Sequence, residues 1–401
     1  MDFHRAALYE GFPSSVNILL APGSRWTTGL ESLKMNRTVR LVVPKNGMSK
    51  KITVALIFGG RSAEHEVSLI SAGAVHKNLS RERFDVRSIY ITRDGLWKAV
   101  AAPLTDIAAL ERGPAFPFLP WETQPVQAGP FADIYFPVLH GPFGEDGTIQ
   151  GLFELAGVPY VGAGVTGSAL GMDKALSKSV LRDHGLPVVP FETVREAVWA
   201  KVPAAVERRV RRVLPLPLFV KPANLGSSVG ITKVKAYGQL RAALDTAFRY
   251  DAVALVERGI AGRELELSVL GNEQPESSVP GEIIPYREFY DYDDKYNDGK
   301  TRFVIPAALP PRTLVRIRAL GVAAFKALAA SGMARVDFFL EKATNRLYVN
   351  EINTIPGFTE ISMYPKLWDA SGLPFPRLLE RLIDLGFERH RNRKACVERG
   401  R

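Results

Sequence analysis

LFVKPANLGSSVGITKV, residues 218–234, runs a short apolar strand, Leu218-Phe219-Val220, into Lys221, then a glycine-serine loop, then a second strand. Small residues let backbone N–H groups approach an anion closely, and hydroxyls add further donors. Ser227 and Ser228 after Lys221 therefore make a candidate phosphate cradle. The pattern is not GxxxxGK[ST], so it is not the P-loop of the common nucleotide hydrolases. A Gly-Ser turn is also an ordinary turn, and at this point both readings stay open.

Two later segments bear on the same question. ARVDFFL (334–340) and RLYVNEINTIPGFT (346–359) read as neighbouring strands carrying Asp337, Glu351 and Asn353. Glu351 and Asn353 are two apart, so an extended chain points them to one side. Three oxygen ligands without His or Cys suit Mg²⁺, which favours hard ligands and substrate phosphates. Carboxylates at strand ends are often merely solvated. Asp337 instead interrupts an apolar strand, which is costly unless the charge is paired or metal-bound. Arg335, two positions earlier, shares its face.

Two glycine-rich turns come earlier in the chain. FGGRSAEHEVSLISAG (58–73) takes a strand through Gly59-Gly60 into a helix. It lacks GxGxxG, which weakens a dinucleotide-fold reading. Glu64 and Glu66 suit a helix N-terminus electrostatically, or one of them holds an ammonium group at a cleft mouth. VLHGPFGEDGTIQG (138–151) repeats the design, with His140 at a strand end. FYDYDDKYNDGKTRF (289–303) has five aromatics and four aspartates but neither helical nor strand periodicity. It reads as a solvated loop or as a lid over a charged ligand.

Between these motifs, strands and helices alternate, which argues an α/β chain. Ile52 to Phe58, Ile134 to Leu139, Val253 to Val256, Val336 to Leu340 and Leu347 to Val349 read as strands. Val67, Ile70 and Ala74 predict one helical face; Ile149, Leu152, Phe153 and Ala156 another. Leu240, Ala243, Leu244, Ala247 and Phe248 form a third stripe. Leu314, Ile317, Gly321, Ala324, Phe325 and Leu328 predict a long helix closed by Gly332. In ELELSVL, Leu265, Leu267 and Val269 alternate with Glu264, Glu266 and Ser268, giving one dry and one polar face.

Length and composition bound the function. A chain of 401 residues is long for one core and suggests two or three domains. No apolar run approaches the roughly 20 residues of a membrane helix, and no secretory signal is legible. The single cysteine, Cys396, excludes an intramolecular disulfide framework and fits a reducing cytoplasm. The net charge of +10 is concentrated at the ends: residues 1–47 carry +3 and 388–401 carry +4. Such runs usually mean solvated tails, and no nucleic-acid-binding motif accompanies them. Residues 1–47 are expected to be an extension before a natural start at Met48, disordered or not native.

Taken together, the clusters resemble the D-alanine–D-alanine ligase family of the ATP-grasp superfamily. The resemblance rests on GGRSAEHEVSL, HGPFGEDGTIQG, MDK, VKPANLGSSVG, VERGIAGREL, FYDYDDKY, ARVDFFL and NEINTIPGFTEISMYP, in the family's order from Met48 to Gly386. It implies an α/β (α+β), three-domain ATP-grasp fold: an N-terminal α/β domain (48–162), a central domain (163–256) and a C-terminal domain (257–387). A mobile loop at 286–303 and a basic tail at 388–401 complete it. ATP would lie between the central and C-terminal domains.

The resemblance also assigns roles. Lys174 and Lys221 match phosphate-contacting lysines, Glu257 the adenine-side carboxylate and Glu264 the ribose carboxylate. Ser228 and Lys295 join the ATP contacts. Asp337, Glu351 and Asn353 match the ligands of two Mg²⁺ (or Mn²⁺) ions. Glu64, Ser227 and Tyr296 match the group around the first D-alanine's ammonium. Arg335 and the Gly357 N–H match the oxyanion donors. Ser362 and the Met363 N–H match the second D-alanine's carboxylate site. Arg258 stands where the family usually has Lys. The implied reaction is ligation of two D-alanines through a D-alanyl phosphate, by a cytoplasmic homodimer without nucleic-acid or membrane partners. A D-alanine–D-serine or D-alanine–D-lactate ligase is the alternative, and Tyr296 disfavours the lactate form. His140 is expected near the first substrate on position alone.

Overall fold

The computed structural model describes residues 50–100, 107–114, 131–226, 229–285 and 301–399. The expected extension, 1–47, lies outside the described residues. The first sheet comprises β1 (Ile52–Gly59), β2 (Phe84–Ile91), β3 (Trp97–Val100) and β4 (Ile134–Val138), in the order β3-β2-β1-β4. β1 pairs in parallel with both β2 and β4. It is apolar on both faces because both are covered, as parallel strands require. Val54, Leu56 and Phe58 face one core and Ala55 and Ile57 the other. Helices α1 (His65–Asn78), α2 (Ile107–Glu111) and α3 (Thr148–Ala156) belong to this part of the chain.

Helices α4 (Val165–Met172) and α5 (Lys174–Asp183) lead to a second sheet. In chain order it contains β5 (Phe191–Arg195), helices α6 (Glu196–Lys201) and α7 (Pro203–Val213), β6 (Leu218–Pro222), β7 (Thr232–Val234), helix α8 (Leu240–Ala247) and β8 (Val253–Arg258). Its order is β5-β8-β6-β7, antiparallel throughout. The expected α8 stripe is buried at Leu240, Ala243, Leu244 and Ala247.

The third sheet holds β9 (Gly262–Gly271), β10 (Glu276–Ser277), β11 (Gly281–Ile284), β12 (Arg302–Val304), β13 (Gly332–Glu341) and β14 (Leu347–Asn353), with α9 (Pro311–Ala327) packed on it. Helices α10 (Met363–Asp369) and α11 (Phe375–Arg399) follow. Register places Asp337 of β13 opposite Glu266 of β9 on one side and Glu351 of β14 on the other. Arg335 stands opposite Asn353. A break in register between Asp337 and Phe338 follows this group, where a bulge re-aims side chains.

The structure corrects four expectations. The buried side of α1 holds His65, Val67, Ser68, Leu69, Ser71, Ala72 and Val75, while Ile70 is exposed. Polar residues occupy this face because strand ends need partners: Ser68 Oγ accepts from the Gly59 N–H at 2.8 Å, and the His65 ring bonds the Gly60 carbonyl at 2.7 Å. Gly332 does not close α9 but begins β13, and Ala329 takes the left-handed turn (φ 51°) after the helix. The polar face of β9 is not solvated: Ser268 is buried, its hydroxyl on the Tyr364 carbonyl at 3.2 Å. The basic run from 388 continues α11 to Arg399. Arg389 lies over the Tyr160 ring at 3.8 Å and Arg393 pairs with Glu154, so that run is anchored as well as charged.

Phe358 sits where the first sheet meets α10 and α11. Its ring meets Phe136 edge-on at 6.1 Å, Tyr364 at 5.9 Å and Phe375 in a stack at 6.0 Å. Phe358→Ala is expected to destabilise the fold by about 3–5 kcal/mol, the usual cost of emptying a large aromatic site. A urea midpoint that does not move would contradict this packing.

Candidate active site

A cavity of about 680 Å³ opens between the second and third sheets and reaches the loops of the first. Its cationic wall begins at α5. Asp173 caps that helix, accepting the Ala175 and Leu176 N–H groups at 2.9 Å, and so aims Lys174 into the cavity. Lys174 Nζ donates to the Leu225 carbonyl at 2.5 Å and lies 3.9 Å from Glu351. Burial pulls its ammonium below the usual lysine range. One turn on, Lys178 is only 1% exposed.

Lys178 and Lys221 flank one carboxylate, Glu257, at 2.7 and 2.5 Å. Glu257 is itself only 4% exposed. Burial opposes its charge, but the two ammoniums outweigh it and hold the carboxyl below its ordinary range. Burial opposes the Lys221 charge too, and there Glu257 and Glu351 prevail and push it up. Lys178 has no comparable surplus of partners, and burial draws it down. The result is a dry, net-positive shelf at the end of β6 and β8, which is the electrostatic form of a polyphosphate site.

The opposite wall is acidic. Arg335 makes a two-pronged contact with Asp337, both bonds at 2.7 Å, and stands 3.1 Å from Glu266. Burial opposes its charge, but Asp337 and Glu266 hold it well above its ordinary value. Asn353 Nδ2 donates to Asp337 at 3.1 Å. Asp337, Glu351 and Asn353 thus stand on adjacent strands at one end of the cavity, with Glu264 on β9 also lining it. Among the described residues no cluster of three or more His, Cys, Asp or Glu side chains is arranged to hold a metal. The donor set is two carboxylates and a carboxamide. With Glu266 close by, acidic charge exceeds that of Arg335, so the wall fits a hard divalent cation.

The loops after β1 and β4 close a third side. Glu64 precedes α1, and a Cβ on Gly141 or Gly226 would come within 2.6 or 2.7 Å of its carboxylate. Glycine at both positions lets the two loops approach the carboxylate without displacing it, and Gly141 also takes a left-handed φ of 75°. His140 lines the cavity, yet its nitrogens bond the Ile355 carbonyl at 3.0 Å and the Ser71 hydroxyl at 3.1 Å. Glu145 accepts the Gly141 and Ile355 N–H groups, both at 3.0 Å. Burial and the nearby Glu64 charge raise its carboxyl to about 7. Gly357 and Ser362 also line the cavity; a Cβ at 357 would meet Ser362 Oγ at 2.6 Å.

The structure therefore gathers Glu64, Lys174, Lys221, Glu257, Glu264 and Arg335 around one cavity with Asp337, Glu351, Asn353, Gly357 and Ser362. Ser227, Ser228, Lys295, Tyr296 and residues 286–300 of the expected loop lie outside the described residues. Sequence reading missed Lys178, Glu145, Glu266 and Ser71 as functional groups. Lys178 was findable, since spacing i, i+4 from Lys174 puts both on one helical face.

Comparison with known proteins points to one family. A model of the D-ala D-ala ligase N-terminus matches residues 53–163, and one of the D-ala D-ala ligase C-terminus matches 180–384. A D-alanine–D-alanine ligase of Solibacter usitatus is 50% identical over 347 residues, covering 86% of this chain and 98% of that protein. One of Heliobacterium modesticaldum is 48% identical over 354 residues, covering 86% and 97%. The solved structure of the D-alanine–D-alanine ligase from Coxiella burnetii matches with TM-score 0.73 at 38% identity, over 87% of this chain and 97% of that one. That of the VanG D-Ala:D-Ser ligase from Enterococcus faecalis matches with TM-score 0.75 at 36% identity, over 84% and 100%.

Glu257→Gln removes the carboxylate that two buried ammoniums share and leaves them only the weaker attraction of Glu351. Breaking a buried ion pair from one side costs about 3–5 kcal/mol. The depressed carboxyl of Glu257 contributes stability in full above its ordinary value. That contribution is lost as pH falls through the depressed one. Urea unfolding should therefore show a large deficit for the variant at neutral pH that narrows in acid. Equal stability at neutral pH would contradict the shared-carboxylate arrangement.

Proposed function

This chain belongs to the D-alanine–D-alanine ligase family, and on that premise we propose how its own residues join two D-alanines while ATP becomes ADP. The activity is ATP-dependent synthesis of D-alanyl-D-alanine for peptidoglycan precursors, and the fold is of the ATP-grasp type. The observation that carries the mechanism is a cavity with a cationic shelf on one wall and the Arg335–Asp337–Glu351–Asn353 group on the other.

In the first step a carboxylate oxygen of one D-alanine attacks the γ-phosphorus, the bond to the bridging oxygen breaks, and ADP leaves. In the second, the amine of the other D-alanine attacks the acyl carbon. The carbon–oxygen bond to phosphate breaks, inorganic phosphate leaves, and the amine proton passes to solvent. Phosphoryl transfer of this kind rests on positioning and charge neutralisation rather than on a protein nucleophile. Lys174 and Lys221 meet the phosphates, Glu257 and Glu264 the adenine and ribose. Glu64 holds the first ammonium, and Ser362 with the Met363 N–H takes the second carboxylate. Arg335 has five N–H donors, so bonding Asp337 leaves capacity for the oxyanion, which the Gly357 N–H shares.

Asp337, Glu351 and Asn353 would hold two magnesium or manganese ions, which when bound neutralise charge across the β- and γ-phosphates. The roles of Ser227, Ser228, Lys295 and Tyr296 rest on the motif resemblance alone. We carry three domains, one per sheet, at 48–162, 163–256 and 257–387; β8 itself runs to Arg258, two residues past the second boundary. We also carry a cytoplasmic homodimer, whose association state sedimentation would measure. No helix among the described residues is long and apolar enough to cross a membrane.

The test is ADP release by the purified protein with Mg²⁺ and ATP, given D-alanine, L-alanine or no amino acid, with chromatography of the products. ADP and D-alanyl-D-alanine in equal amounts, with D-alanine only, is the expected result. ADP without dipeptide would point to D-serine or D-lactate as acceptor. ATP binding without turnover would contradict the reading.

A further inference from the structure

Just after Glu351 and Asn353, the chain turns through Ile355-Pro356-Gly357-Phe358, and side chains far away in sequence hold that turn. Glu145 accepts the Ile355 N–H at 3.0 Å. The His140 Nδ1 faces the Ile355 carbonyl at 3.0 Å. Ser71 Oγ accepts the Phe358 N–H at 3.2 Å. The His140 Nε2 and Ser71 Oγ are 3.1 Å apart, which ties two of these contacts together. The other Glu145 oxygen accepts the Gly141 N–H, so that carboxylate also braces its own loop.

One arrangement of protons satisfies every contact. A carbonyl only accepts, so the His140 Nδ1 carries the hydrogen. The neutral ring then accepts at Nε2, and the Ser71 hydroxyl donates to it. The Ser71 lone pair remains for the Phe358 N–H. Burial lowers the His140 pKa and so favours this neutral ring. Both Glu145 oxygens accept N–H donors, which a carboxyl group can do whether or not it is protonated. The Ile355 peptide is thus held at both its N–H and its C=O, and Phe358 at its N–H. Pro356 and Gly357 lie between fixed points. Such bracing exceeds what a solvated turn needs, and it acts on the residue whose N–H faces the reacting carbonyl in the reading above.

We propose that Ser71, His140 and Glu145 are positioning residues that clamp the 355–358 turn from the first sheet and so aim the Gly357 N–H at the oxyanion. The inference rests on the proposed function and adds three residues to it. It also gives His140, which lines the cavity, a part in holding the turn.

The test compares Glu145→Ala, Glu145→Gln, His140→Ala and Ser71→Ala with the wild-type enzyme. Measured are kcat, KM for D-alanine, ADP released per dipeptide, and affinity for a non-hydrolysable ATP analogue. A displaced oxyanion donor should lower kcat roughly 10- to 100-fold, since misplacement by about 1 Å can cost 10²-fold. ADP per dipeptide should rise above one as acyl phosphate is lost to water. Analogue affinity should stay within about twofold, because the cationic shelf is untouched. Glu145→Gln, which keeps one acceptor oxygen, should recover part of the loss in Glu145→Ala. Ser71→Ala removes one surface of the clamp with the least disturbance, so it covers the case in which a larger change fails to fold. Variants that keep wild-type kcat and coupling per folded molecule would overturn the clamp alone. So would loss of analogue affinity in step with kcat. A wild-type enzyme that forms no D-alanyl-D-alanine would overturn the underlying reading, and the clamp with it.

Discussion

A charge removed from water must meet its counter-charge, and in this protein that requirement organises the cleft. Glu257 is shared between Lys178 and Lys221, and Arg335 is shared between Asp337 and Glu266. None of these groups is tolerable singly in a site so dry. Each is supplied by a different element: Lys178 by α5, Lys221 by β6, Glu257 by β8, Glu266 by β9 and the Arg335–Asp337 pair by β13. The first pairing ties α5 to the second sheet and the second braces the third sheet, while Lys174–Glu351 and Arg258–Glu341 link the two sides across the cleft. The paired state also leaves an excess of positive charge on one wall and of negative charge on the other. A magnesium nucleotide presents the complementary pattern, with anionic phosphates and a cation between them.

Much of this was legible in the sequence, for a physical reason. β1, β6 and β9 announce themselves because burial on two faces, a lysine at a strand end and strict alternation leave few other interpretations. Asp337 and Arg335 stood out because a charge inside an apolar strand demands a partner. Glycine turns before α1 and α3 marked the loop that carries Glu64 and one of the two that approach it. Each of these signals is local: the residue and its neighbours state the constraint together.

What was not legible depends on contacts distant in sequence. The apolar stripe of α1 says nothing of His65, Ser68 and Ser71, yet they face inward to satisfy backbone groups. Glu145 reads as a loop carboxylate, yet its partner, the Ile355 N–H, is 210 residues away. Gly332 resembled a helix stop because the intervening Ala329 takes the left-handed conformation usually given to glycine. Periodicity finds apolar faces well but is blind to a polar face buried against backbone. In this chain those hidden polar faces lie nearest the chemistry.

The central claim is that the cleft passes a phosphoryl group to a D-alanine carboxylate before the peptide bond forms. The most direct measurement is isotope transfer from D-alanine labelled with ¹⁸O in its carboxyl group. Mass spectrometry of the inorganic phosphate should find one labelled oxygen per phosphate released, with the other retained in the dipeptide carbonyl. Unlabelled phosphate accompanying dipeptide formation would mean that no acyl phosphate forms and would contradict the account.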